Sequence, residues 1–191
     1  MAELLSTANE CMDKAVEFVQ AKVDEFGWKV FGREDALQKI NKLSEFGIDR
    51  QKKIIKILEE SPEETIAQLS NLQKGNYGEM KMDIFYDELG YDRISLDRTT
   101  DLDAPAHRGI DGVYYNPDGH PPYVIAEAKF GSARLSNTLD GKQMSDSWIF
   151  GSNRLYNAVG KDIYDEILIE GFGKQLVQVD SDGLLKVINL E

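Results

Sequence analysis

Asp111, Glu127 and Lys129 are the residues of this chain whose types and spacing could do chemistry together. They lie within residues 109–130, GIDGVYYNPDGHPPYVIAEAKF. There two runs rich in β-branched and aromatic residues, Ile110–Tyr115 and Tyr123–Phe130, flank the turn-forming Asn116-Pro117-Asp118-Gly119. An antiparallel hairpin with its turn region centred on Gly119 makes residues 111 and 127 face each other. Facing side chains have Cβ atoms roughly 4.5–5.5 Å apart, so two carboxylates there repel unless a cation or a proton lies between them. Period-two alternation puts Lys129 on the face of Glu127, with Ala126, Ala128 and Phe130 on the other. A hard divalent ion such as magnesium takes oxygen ligands, and two or three carboxylates suit it. At a scissile phosphate such an ion polarises a non-bridging oxygen, lowers the pKa of an attacking water and neutralises the leaving oxygen. Lys129 could position or deprotonate that water, or stabilise the charge developing at phosphorus.

The elements that must position these groups read as follows. Residues 3–25 carry Leu4, Leu5, Ala8, Met12, Ala15, Val19 and Val23 at spacings of three and four, an amphipathic helix. A second helix is expected over 34–46 and a third around Ile54, Ile55 and Leu58. Ser61-Pro62-Glu63-Glu64 joins a capping box to a proline and predicts a fourth, from Pro62 to about Leu72. None of these helices gathers a chemical constellation, so 1–73 reads as a helical connecting segment. The pattern breaks at Lys74-Gly75-Asn76 and resumes over Tyr77–Leu89, which places a domain boundary at 74 and a second domain over 74–191. Glu79 then falls in a helix first turn, where it either reaches the ion through a water or simply complements the macrodipole. Ile94 and Leu96 suggest a first strand. After the hairpin come a polar loop, a helix from about Lys142 to Val159, a strand over Glu166–Glu170, and a final hairpin turning at Asp180-Ser181-Asp182-Gly183. This order predicts an α/β (α+β) layer with a mixed sheet flanked by helices, preceded by an all-α segment.

The whole composition narrows the function classes. The chain has 191 residues and a formal net charge of -12, which argues against a broad basic surface that grips phosphate backbones indiscriminately. A nuclease needs positive charge only along its substrate track. No apolar run is long enough to span a membrane, and no signal peptide is visible at the start, so no membrane role is expected. One cysteine and two histidines offer no disulfide framework and no histidine-rich zinc site. Cys11 reads as a small core residue and His120 as a surface residue.

The Asp facing a Glu, the lysine on the same face and the Glu-bearing helix just ahead resemble the PD-(D/E)XK nuclease superfamily, with its restriction-endonuclease-like fold. Asp111 matches the first acid, Glu127 and Lys129 match the E-x-K, and Glu79 matches the helix acid; Ile110 stands where the motif name expects proline. A narrower resemblance covers about 74–191. KGNYGEMKMD, HRGIDGVYYNPDGHPPYVIAEAKFGSARLS and DGKQMSDSWI are similar to the C-terminal nuclease toxin domains of LXG-type polymorphic toxins of Gram-positive bacteria. The resemblance implies a magnesium- or manganese-dependent endonuclease, with Asp111, Glu127 and Glu79 as metal ligands. It also implies type VII secretion without a signal peptide, action in the target-cell cytoplasm and neutralisation by a cognate immunity protein. The delivery region is not recognisable, so the chain is expected to be a piece of a longer toxin. Gln143 is expected either to support the site or contact substrate, or merely to open a helix. Arg134, and beside it Ser132, are placed as phosphate contacts, as are His107 and Arg108, with an ordinary loop role as the alternative. Trp148 reads as core rather than as a base-stacking platform. DNA and RNA both fit, and the acidic balance tilts the expectation toward RNA. Two other classes stay open: a non-enzymatic protein-interaction module, and a metal-dependent hydrolase of another phosphoester.

Overall fold

Alternation in the central hairpin leaves apolar side chains on both faces of its strands, and a strand apolar on both faces must be covered on both. The computed structural model, which describes residues 47–61, 64–106 and 108–191, has this three-layer arrangement. A five-stranded mixed sheet has the order β1 (Asp92–Arg93), β2 (Gly112–Tyr115), β3 (Tyr123–Phe130), β6 (Phe172–Val179) and β7 (Leu185–Leu190). Neighbours are antiparallel except β3 and β6, which run parallel. A parallel pair needs a crossover. Here it contains the small hairpin β4 (Asn137–Thr138) and β5 (Gly141–Lys142), then α4 (Asp146–Phe150), α5 (Arg154–Val159) and α6 (Lys161–Glu170).

One face of the sheet is covered by α1 (residues 47–59), α2 (Glu64–Gln68) and α3 (Asn71–Glu88). Ile55, Leu58, Ile66, Tyr77 and Met80 from these helices share a core with Tyr114, Val124, Ala126, Ala128, Val177 and Val179. On the other face Trp148, Ile149, Leu155, Val159, Ile163 and Ile167 cover Val113, Tyr123 and Ile125. The two inventories divide each strand by alternate residues, as period two requires. Behind the hairpin, Asp83 ties the layers together through a buried network. It accepts from Arg93 Nη1, from the Tyr114 hydroxyl at 2.5 Å and from Gln51 Nε2 at 2.7 Å. Burial is the largest single effect and would pull the Arg93 pKa down, but the Asp83 charge and hydrogen bond together with Tyr114 and Glu79 outweigh it and hold the guanidinium above its usual range.

Several elements differ from the sequence expectation. The stretch Glu166–Glu170, expected as a strand, is the second half of α6. Ile163 and Ile167 form a buried i, i+4 pair, and Gly160 and Gly171 bracket the helix with positive φ. The break expected at Lys74–Asn76 lies inside α3. The helix begins four residues before Gly75, where Ser70 and Gln73 form a reciprocal capping box. The helix expected from Pro62 to Leu72 contains only the five residues Glu64–Gln68 before this new start. The strand expected at Ile94 and Leu96 is the two-residue β1 just ahead of them. The helix expected from Lys142 to Val159 starts after the Ser145 cap and breaks at Gly151–Asn153, where Ser152 and Asn153 have positive φ. All described residues belong to one compact unit, Phe46–Glu191. Within it the helices of 47–69, expected as connecting material before a boundary at 74, contribute core side chains because their apolar stripe needs the sheet. The expected helices over 3–25 and 34–46, and Cys11, lie outside the described residues.

Candidate active site

The hairpin register is the one the turn predicts. Gly112 pairs with Ala126, Val113 with Ile125, Tyr114 with Val124 and Tyr115 with Tyr123. Continued by one residue, it sets Asp111 opposite Glu127. Asp111 sits at the entrance to β2, and two backbone contacts hold it. Its Oδ2 accepts from the Ala128 N–H at 2.9 Å, and its carbonyl accepts from Arg93 Nη2 at 2.8 Å. Thus the buried Arg93–Asp83 network reaches the site through the main chain of Asp111.

Glu127 is only 1 % exposed, although it is a carboxylate. Its Oε1 accepts from both Lys129 Nζ and Gln143 Nε2, whereas its Oε2 is buried without a hydrogen-bond partner. Burial is the main force raising the Glu127 pKa well above the carboxylate range, and the Asp111 charge adds to it; Lys129 opposes both. A buried orphan oxygen is costly by itself, at about 1–3 kcal/mol. Here it lies beside a second carboxylate, a donor set of hard oxygens that fits magnesium or manganese.

These residues line a cleft of about 590 Å³. Glu79 lines it too, from α3, and its Oε2 accepts from the Thr99 hydroxyl at 2.6 Å. Because α3 starts at Asn71, Glu79 lies in the third turn, so the macrodipole does not account for it. Among the described residues no three His, Cys, Asp or Glu side chains form a ready metal cage. Asp111 and Glu127 are the close pair, and Glu79 lines the same cleft from α3.

Of the other expected contacts, Gln143 and Arg108 line the cleft, and Gln143 touches Glu127 directly. Ser132 and Arg134 are exposed on the loop after β3 and do not line it. His107 lies outside the described residues. Trp148 is core, as expected, but its edge also reaches the cleft, with the Arg154 guanidinium 4.8 Å from its ring centroid. His120 is exposed. The sequence reading missed Lys74 and Arg154, two cations on the cleft wall. Lys74 lay in the stretch read as a helix break, and its placement needed the Ser70 cap. Arg154 falls one residue after a kink that periodicity does not signal. It donates to Asp140 at 2.7 Å and to the Trp148 carbonyl at 2.8 Å.

Searches against protein-family models, curated proteins and solved structures find no match to this chain.

Proposed function

We propose that the protein is a metal-dependent nuclease that hydrolyses phosphodiester bonds at the Asp111–Glu127 pair. The observation that carries this reading is the buried, unpartnered Glu127 Oε2 beside Asp111, with Lys129 on the same strand face. Asp111 and Glu127 would hold magnesium or manganese, and Glu79 lines the same cleft. When bound, the ion supplies Lewis-acid polarisation of a phosphate oxygen and neutralises charge on the leaving group. The chain's own residues do the rest. The Ala128 N–H fixes the orientation of Asp111, and Gln143 and Lys129 together fix Glu127 through its other oxygen. Lys129, whose ammonium borders the cleft, stabilises negative charge building at phosphorus. Lys74 and Arg108 line the cleft and give it positive charge for a bound strand.

In the same reading the protein acts as an interbacterial toxin, exported by its producer, active in the target-cell cytoplasm and silenced by a cognate immunity protein. That setting is supported by the toxin-like blocks around the site. Among the described residues, no helix is long and apolar enough to cross a membrane. The test is incubation of purified protein with duplex DNA, single-stranded DNA and total RNA, with magnesium and with chelator. Cleavage of at least one substrate that chelator stops, and that Asp111→Ala and Glu127→Ala lose while keeping the parent's circular dichroism, supports the reading. No cleavage under any condition, or equal cleavage by both variants, defeats it.

A further inference from the structure

The hairpin β4–β5 forms the rim of the cleft. Ser136 and Gln143 at its base, and Thr138 next to its tip, line the cleft. Its two-residue tip is Leu139-Asp140, with Gly141 at positive φ completing the turn. Tips of this kind usually carry Asn, Asp or Gly, because they face water. Leu139 is fully exposed there.

This tip is held firmly. Thr138 Oγ1 donates to the Gly141 carbonyl at 2.8 Å, and Asp140 is gripped by Arg154 at 2.7 Å and by Ser152 Oγ at 3.0 Å. At the hairpin base, the Gln143 N–H donates to the Ser136 carbonyl at 2.8 Å, and the side chain of the same Gln143 donates to Glu127. The apolar tip is therefore fixed relative to the proposed metal pair. From the Ser136–Gln143 level the tip lies about three rungs along the hairpin, roughly 10 Å at strand rise, a distance of one or two nucleotides along a bound strand. The surrounding charge also suits a strand more than a protein partner's apolar face: Lys142 is exposed on the hairpin, Arg134 is exposed on the loop that leads into it, and the Asp140 charge is matched by Arg154.

We propose, resting on the nuclease reading, that Leu139 is a wedge that packs against a base of the nucleic-acid substrate and unstacks it near the scissile phosphate. Apolar wedges between bases and stacking against unpaired bases are both established ways for a protein to grip nucleic acid. The wedge adds an apolar part to the grip that Lys74, Arg108 and the other cations of the cleft wall supply. It also makes unpaired or easily unpaired segments the favoured substrate, because duplex would have to be opened first.

The experiment compares the parent with Leu139→Ala and Leu139→Met on a single-stranded oligonucleotide carrying 2-aminopurine at successive positions. Calcium replaces magnesium in the binding arm to keep the strand intact, and magnesium is used in the cleavage arm. The parent should show raised fluorescence at one position flanking the cut. Leu139→Ala should lose that signal and raise KM about tenfold with little change in kcat, and Leu139→Met should retain both. Equal fluorescence and KM in the parent and Leu139→Ala overturn the wedge; if magnesium-dependent cleavage persists and Asp111→Ala abolishes it, the nuclease reading survives that failure. A parent that cleaves nothing overturns both.

Discussion

Replacing Asp83 by alanine tests the link between the core and the site. Asp83 is 3 % exposed and Arg93 6 %. The carboxylate accepts from Arg93, Tyr114 and Gln51, and Arg98 lies 3.5 Å away. Asp83→Ala leaves the Arg93 guanidinium buried without its carboxylate partner and the Tyr114 hydroxyl without its acceptor. Breaking a buried ion pair from one side costs about 3–5 kcal/mol. For a unit of this size each kcal/mol moves Tm by about 2–4 °C, so the midpoint should fall by on the order of 10 °C. Asp83→Asn keeps the shape and an accepting oxygen but loses the charge, and should lose about half as much, since hydrogen bonds to charged groups are worth about 1.5–3 kcal/mol. Thermal and urea melts followed by circular dichroism give the values. Because Arg93 also holds the Asp111 carbonyl, magnesium affinity measured below the melting range should weaken in Asp83→Ala. A loss below about 1 kcal/mol, or a loss for Asn equal to that for Ala, would show that the network does not carry the ion-pair energy assigned to it.

Gly112→Ala should destabilise by about 1–3 kcal/mol, read from the same melts, because a Cβ there would stand 2.5 Å from the Tyr114 hydroxyl, which Asp83 holds in place. The metal-free protein should lose stability as pH rises from the ordinary glutamate range toward the raised Glu127 value. The sign follows from the buried carboxyl holding its proton longer in the folded state than in the unfolded chain. Urea melts of Glu127→Gln across that window should lack this loss, while cleavage by the same variant disappears. Gln143→Ala should lower activity by about 10–100-fold, as loss of a group that orients a metal ligand does, with Tm little changed; unchanged activity in a cleavage assay would reduce Gln143 to a hairpin residue.

The hairpin was legible in the sequence because its information is local: two strands of alternating character and one turn set the register, and the register alone places Asp111 against Glu127. The final hairpin at Asp180–Gly183 was readable for the same reason. What escaped was decided by packing across distance. Glu166–Glu170 has strand-like residues, yet Ile163 and Ile167 bury as a helical pair under the sheet. Lys74-Gly75-Asn76 looks like a break, yet the Ser70 cap, the bonds of Asn76 to the Leu102 and Ala104 carbonyls and the burial of Tyr77 against the sheet carry the helix through. Gln143 could be named as a candidate but not assigned a partner, because its contact with Glu127 depends on a loop folding back by means of β4–β5. Lys74, Arg154 and the Asp83 network had no sequence signal, since isolated charges acquire meaning only from what surrounds them.

Titration calorimetry of magnesium or manganese into the full chain tests the metal pair most directly. One site is expected, lost in both Asp111→Asn and Glu127→Gln and kept in Leu139→Ala. Magnesium at about 100 times its Kd should stabilise the parent by about 2.7 kcal/mol and the two site variants not at all. Absence of binding by the parent, or undiminished binding by both site variants, contradicts the metal pair.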